Sequence, residues 1–319
     1  MALRTILSID GGGIKGALPA LVLAYIEKQT GKRIADCFDL IAGTSTGGIL
    51  SLALTATDSK GVLKYTADDV FDMYKDHGKD IFSRSALRSI FSIGGIVSEK
   101  YSDEGIVKVL KRFFTESATL NTCHTKTFVT TYDIENRTPL FLKSWKADTK
   151  NTLLWQAARG TSAAPTYFEP AKVKVNGLDR ILIDGGVYVN NPSLSASIEA
   201  KKLFPDDDLL VVSIGTGQNT RSIPYESAKD WGDAQWVVPL LDIMFDGQSA
   251  VTDYQLSQVP NVKMFRFQTR LNIASDSMDD VSDDNISKLK KQATKLIVDC
   301  QQSLDELCDI LKQSPTRAD

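Results

Sequence analysis

Histidine is almost missing from this chain: among 319 residues there are two, His77 and His124. A Ser-His-Asp triad needs an imidazole within hydrogen-bond reach of its nucleophile, so this scarcity bears on any mechanism written for the protein. Cysteine is sparse as well. Cys37, Cys123, Cys300 and Cys308 are scattered and form no C-x-x-C pair. That excludes the common zinc and dithiol motifs and fits the reduced thiols of a cytoplasmic protein. No stretch approaches the ~20 apolar residues of a membrane span, and the start MALRTILSIDGGG has no signal-peptide pattern, so any membrane contact is expected to be peripheral. H-E-x-x-H, EF-hand and Gly-Lys-Ser/Thr motifs are all lacking, and neither a metal nor a cofactor is expected. Basic residues do not dominate: 37 Lys and Arg stand against 40 Asp and Glu, for a net charge of −3, which gives no case for nucleic-acid binding.

What is present is an ordinary globular composition, 42% hydrophobic, enough for one sizeable core. Residues 4–9 read as a buried aliphatic strand, and 17–29 as a helix after a glycine cluster. The apolar run 38–42 reads as a second strand and 49–56 as the helix after it. Residues 68–77 and 104–114 carry helical spacing. Two hairpins are expected: one joins 127–134 to 140–145, and the other turns at Asn176-Gly177 between 173–175 and 181–183. Residues 193–203 read as a helix, 209–214 and 262–267 as strands, and 236–259 as two helices around Gly247. The amphipathic stretch 285–312 reads as a helix or helix pair. Strands alternating with helices predict an α/β fold with a mainly parallel sheet between helical layers, built as a single domain over 1–319 with 285–312 a C-terminal helical extension.

Three motifs carry chemistry. Asp10-Gly11-Gly12-Gly13-Ile14-Lys15-Gly16 follows a strand and opens a helix. Its glycines let backbone N–H groups approach a negative charge, either a phosphate or an oxyanion. It contains G-x-G-x-x-G, and Asp36 and Asp39 lie where the ribose-binding acid of a dinucleotide site would be. Gly43-Thr44-Ser45-Thr46-Gly47 matches G-x-S-x-G between a strand and a helix, where a strained turn needs small neighbours to project the hydroxyl. Asp184-Gly185-Gly186 ends the strand 181–183 with a carboxylate. A nucleotide-binding oxidoreductase would explain the first motif and leave Ser45 and Asp184 unused.

Together and in this order the motifs resemble those of the patatin-like phospholipase family: an oxyanion loop at 10–16, a nucleophile elbow at 43–47 and a base motif at 184–186. Arg159-Gly160-Thr161-Ser162-Ala163-Ala164-Pro165-Thr166-Tyr167-Phe168, the stretch from Asp184 through Asn190-Asn191-Pro192, Ser213-Ile214-Gly215-Thr216-Gly217 and Met278-Asp279-Asp280 are similar to the family as well. The resemblance implies a three-layer α/β/α fold and a lipid acyl hydrolase acting on phospholipid or other acyl-lipid substrates. Ser45 would be the nucleophile, Asp184 its base, and Gly11, Gly12 and Gly13 the oxyanion donors. An acyltransferase or thioesterase would use the same residues, and a silent lipid-binding protein would need none of them. Some bacterial members of similar size are switched on by cyclic nucleotides, so a small-molecule activator is a further expectation. The residues themselves favour a dyad: His77 ends a polar helix, and His124 precedes its strand, whereas catalytic groups of such sheets gather at the strands' carboxyl ends. For membrane contact, the irregular segment 83–98 with Phe82, Leu87, Ile90, Phe91, Ile93 and Ile96 is the candidate, and Lys15 is either a guide for anionic headgroups or a solvated loop lysine.

Overall fold

A computed structural model describes residues 2–82 and 103–314. The membrane-contact candidate 83–98, with Leu87, Ile90, Phe91, Ile93 and Ile96, lies outside the described residues.

In chain order the principal elements are β1 (Leu3–Ile9), α1 (Ala17–Thr30), α2 (Ile34–Cys37), β2 (Leu40–Thr44), α3 (Thr46–Thr55), α4 (Ala67–Ile81), α5 (Asp103–Phe114), β3 (Lys126–Asp133), β4 (Thr138–Lys143), α6 (Leu154–Thr161), β5 (Ala171–Val175), β6 (Leu178–Asp184), α7 (Ser193–Leu203), β7 (Asp208–Ile214), α8 (Tyr225–Ala228), α9 (Asp233–Ser257), β8 (Val262–Phe267), α10 (Asp283–Asp299) and α11 (Gln301–Gln313). The strands form one sheet in the order β5-β6-β3-β2-β1-β7-β8, with β4 paired to β3. Along the sheet from β3 through β2, β1 and β7 to β8 the strands run parallel, while β4 and β6 pair antiparallel with β3 and β5 pairs antiparallel with β6.

The near-continuous aliphatic runs of β1, β2 and β7 are what a sheet covered on both faces requires. Alternate residues divide between two helical layers. Ile6, Leu40, Ala42, Leu209 and Val211 pack with Ala196 and Ala200 of α7 and Leu256 of α9. Leu7, Ile9, Ile41, Leu210 and Val212 join the larger cluster with α1, α3, α4 and α6. The result is the expected α/β sandwich around a mostly parallel sheet. Leu289, Ala293 and Leu296 of α10, and Leu304, Leu307 and Leu311 of α11, are buried in this same larger cluster with Leu18, Val22 and Ile26 of α1.

Two local expectations fare differently. The turn between β5 and β6 has φ of 50° at Asn176 and 79° at Gly177, the pair of positive values a tight two-residue hairpin turn needs. The segment around Gly247, by contrast, is not two helices. It is one 25-residue helix, α9, with Pro239 inside it. A glycine costs a helix only ~1 kcal/mol relative to alanine. Burial of Phe245, Ser249 and Leu256 along one side supplies the packing that keeps the helix whole.

One feature of the topology decides where the chemistry can occur. β2 pairs with β3 from Lys126 to Thr130, β6 pairs with it from Thr131 to Asp133, and β4 pairs with it from Phe128 to Asp133. Because β4 overlaps both of the other registers, β2 and β6 must share the opposite edge of β3. They run towards each other along that edge. Their carboxyl ends therefore meet, with Thr44 opposite Thr130 and Asp184 opposite Thr131.

Candidate active site

Ser45 occupies the turn between β2 and α3 with φ 56° and ψ −124°. For a residue with a Cβ this conformation costs roughly 1–3 kcal/mol and persists only where its surroundings hold it. They do so here. The Ser45 N–H donates to Thr161 Oγ1 at 3.0 Å, and the Thr161 hydroxyl donates to the Thr130 carbonyl at 2.7 Å. The flanking glycines are steric necessities. A Cβ on Gly43 would stand 2.1 Å from the Gly47 carbonyl oxygen, and one on Gly47 would stand 2.2 Å from the Ile9 oxygen. Strand end, turn, helix start and the neighbouring strand thus touch backbone to backbone, and the serine is left 9% exposed.

Asp184 ends β6 fully buried. Its Oδ1 accepts the Gly186 N–H at 2.7 Å, whereas Oδ2 has no hydrogen-bond partner among the described residues. The Ser45 hydroxyl is near enough to favour charge on the carboxyl but makes no hydrogen bond to Oδ2. Burial dominates: it pushes the Asp184 carboxyl up to about 7, against smaller downward pulls from the Ser45 hydroxyl and the Gly186 N–H.

The glycine loop arrives from β1. Its donors are not equivalent. The Gly11 N–H is already given to the Asn190 carbonyl at 3.1 Å. Among the described residues the N–H groups of Gly12 and Gly13 have no partner. Gly11 matters for its missing side chain, since a Cβ there would come within 3.2 Å of the Ser45 Cβ and 2.4 Å of Asn190 Oδ1. Gly13 has φ 61°, and a Cβ on it would meet the Met278 carbonyl oxygen at 2.2 Å. That oxygen also accepts the Ile14 N–H at 2.8 Å, which ties the loop to the segment before α10. The loop is anchored behind by Asp10, whose two oxygens accept from Arg266 Nη1 at 3.1 Å and Nη2 at 2.6 Å. Burial lifts the Asp10 carboxyl to about 6, with Arg266 pulling it back, so the pair is ionised at neutral pH.

The structure brings Ser45, Asp184 and the glycine loop together and leaves the histidines outside. His124 Nε2 lies 2.9 Å from Asp36 Oδ1, before the start of β3 and thus at the end of the sheet remote from Ser45. His77 pairs with Asp80 at 3.1 Å on α4. Asp39, the other candidate ribose ligand, sits before β2 and accepts the Thr5 N–H at 2.7 Å, far from the loop it would have to assist. Lys15 is not a solvated loop lysine, for it is 5% exposed. Thr161 and Asn190, which hold the elbow and the loop, lie in stretches the sequence marked without assigning them a task. Arg266 carries no local signal at all.

Beside Ser45 lies a narrow apolar cavity, open to solvent, walled by Ile49, Ile81, Phe82, Ile106, Phe168 and Phe245. Such walls suit a hydrocarbon chain. All four cysteines are free thiols away from this wall. No helix among the described residues is long and apolar enough to cross a membrane.

Comparison with known proteins shows the family. Residues 7–197 match the family model described as patatin-like phospholipase. The chain is 34% identical to a protein named "Probable inactive patatin-3-Kuras 1" from Solanum tuberosum, covering 80% of this chain and 74% of that one. It is 31% identical to "Patatin-like protein 2" of Oryza sativa subsp. indica and to "Patatin-like protein 4" of Arabidopsis thaliana, in each case over 92% of this chain and 83% of the other. Among solved structures, VipD from Legionella pneumophila aligns over 93% of this chain and 67% of its own, with a TM-score of 0.40 and 12% identity.

The buried ion pair behind the loop gives a stability prediction. Arg266→Met leaves the buried Asp10 carboxyl without its counter-ion and its two guanidinium donors, which should cost about 3–5 kcal/mol. Urea unfolding should register the loss, and an unchanged midpoint would mean that Asp10 does not depend on its guanidinium partner.

Proposed function

Since the chain belongs to the patatin-like phospholipase family, we propose that it is a serine lipid acyl hydrolase of the phospholipase A or lysophospholipase type, working with Ser45 and Asp184 alone. The observation that carries this reading is the head-on meeting of β2 and β6, which sets a strained serine beside a buried, half-unpartnered carboxyl. In the proposed cycle Asp184 accepts the Ser45 proton as Oγ attacks the ester carbonyl. The developing oxyanion is held by the free N–H groups of Gly12 and Gly13, each such donor being worth roughly 10²–10³ in rate. Gly11 contributes by letting the loop approach. The alcohol departs with the proton held by Asp184. Water, deprotonated by the same carboxylate, then cleaves the acyl-enzyme and restores the serine. The hydrocarbon tail lies in the apolar cavity. No metal or cofactor enters these steps.

The whole chain, 1–319, is read as one catalytic unit, supported by the burial of α10 and α11 against α1. Transfer of the acyl group to an acceptor alcohol, or its removal from a thioester, would use the same unit, and product analysis with and without an acceptor separates these outcomes. Because the resemblance ties some bacterial members to cyclic-nucleotide activators, lipid assays should be run with and without cyclic dinucleotides.

Peripheral membrane contact is also part of the proposal, and α9 supports it. Trp236, Leu240, Ile243, Val251 and Tyr254 recur at helical spacing and are exposed. The same helix sends Phe245 into the acyl cavity. Apolar residues edged by Trp and Tyr are suited to a lipid surface, and seating them there would bring the cavity to its substrate.

Three outcomes are expected. Ser45→Ala and Asp184→Asn should each abolish ester hydrolysis in folded protein, while His77→Ala and His124→Ala stay active. A folded His124→Ala enzyme without activity would point to a triad instead. Second, Asp184 must be ionised to accept a proton, so kcat/KM on a soluble ester should rise with pH to a plateau with its midpoint about 7 and fall about tenfold one unit below that midpoint. A profile flat from pH 5 to 8 would remove Asp184 as the base. Third, Leu240→Ser/Ile243→Ser should weaken co-sedimentation with phospholipid vesicles while sparing hydrolysis of a soluble short-chain ester, and unaltered co-sedimentation would exclude this face.

A further inference from the structure

The glycine loop also borders a second cavity. It shares Phe245 and Met278 with the acyl cavity, yet its wall is polar and includes Lys15, Asn190, Asp242 and Asp246. The charges in it are poorly satisfied. Lys15 Nζ is left with two long bonds to neutral acceptors, Asn219 Oδ1 at 3.3 Å and the Asp276 carbonyl at 3.2 Å. Asp242, half-buried, and Asp246, exposed at the rim, stand one turn apart on α9 and, among the described residues, make no hydrogen bond or ion pair. Asp276, the third carboxylate near Lys15, is engaged by Arg221 at 3.5 Å. Asn190 is 6% exposed; its Nδ2 donates to Ser249 Oγ at 3.2 Å, but its Oδ1 is buried without a partner.

A buried acceptor with nothing to accept, two free carboxylates and a single desolvated ammonium make a dipolar lining. A ligand with one anionic and one amine group would complement it, since the buried Lys15 ammonium and Asn190 Oδ1 are costly to leave unmet and the two carboxylates at the rim attract an amine. We propose that this cavity receives the headgroup of an aminophospholipid, with the phosphate towards Lys15 and the primary ammonium among Asp242, Asp246 and Asn190 Oδ1. The inference rests on the lipid-hydrolase reading and adds substrate choice to it. The shared wall puts headgroup and acyl chain on adjoining sides of the loop that faces the ester. Burial pushes Lys15 down and Asp242 and Asp246 up from their ordinary values, as expected of charges awaiting partners. With Arg221 engaged by Asp276, an anionic headgroup without an amine would meet Asp242 and Asp246 as well as Lys15, so the lining discriminates by repulsion as well as attraction.

The test compares phosphatidylethanolamine with phosphatidylglycerol of identical acyl chains, each dispersed in neutral detergent micelles, with p-nitrophenyl butyrate as an ester lacking a headgroup. Wild type should hydrolyse the ethanolamine lipid about tenfold faster, the ratio corresponding to one preferred charge contact. Asp242→Asn/Asp246→Asn, checked for folding by circular dichroism, should bring the ratio towards one. Asp230→Asn/Asp233→Asn, an equal charge change at exposed positions outside the cavity, should retain it. A wild-type ratio near one with active ester hydrolysis overturns the headgroup assignment alone. So does a ratio that survives the cavity variant or collapses equally in the control. If none of the three substrates is turned over, the hydrolase reading falls and takes this inference with it.

Discussion

The sheet edge shared by β2 and β6 is the constraint on which the rest of this molecule depends. A parallel strand and an antiparallel strand approach each other along one side of β3, and their last residues face consecutive threonines, Thr130 and Thr131. Hydroxyl and carboxyl are thus delivered by rigid backbone ladders, the kind of support that holds a reactive geometry better than loops do. The tightness of the junction is visible in its glycines. A Cβ on Gly185 would fall 2.0 Å from Thr130 Oγ1, as close a conflict as those at Gly43 and Gly47. The base segment abuts β3, and the elbow abuts itself and β1, with no room for a side chain between them.

Dryness is the second requirement. An aspartate in water, with a pKa of about 3.9, is a weak base. Asp184 is moved towards neutrality because burial penalises its charge and because only one of its oxygens is compensated. The shift has a cost in stability. A carboxyl whose folded pKa lies above its unfolded one stabilises the fold below about pH 4, and that contribution is lost as the pH rises through about 7. The extensive core formed by α1, α3, α4, α10 and α11 offsets this penalty.

Much of this was readable from the sequence because the requirements are local. The glycines at 43 and 47 serve contacts made within a few residues or with the adjoining strand, and the aliphatic runs of β1, β2 and β7 announce a doubly covered sheet. The turn at Asn176-Gly177 is equally local in its demand for positive φ. What could not be read depends on distant partners. Gly11 looks like its neighbours in sequence, but its N–H is taken by Asn190, which only the fold brings near. The burial of Lys15 follows from the segment around Asp276, and the Arg266 partner of Asp10 lies on β8 at the sheet's edge. Gly247 misled in the other direction, because a weak helix former was outweighed by packing along α9.

That same helix has a mechanical meaning. At 25 residues it is a rod about 37 Å long at 1.5 Å per residue. Gln248 accepts the Asn190 N–H and donates to the Val187 carbonyl, and Asp253 engages both Asn191 and Arg266. One rod is therefore stapled to the segment following the base and to the anchor behind the loop, while its outer side faces solvent. A displacement of that outer side would load both staples together, since the same rod carries the solvent-facing residues and the bonds to the segments around the reactive centre.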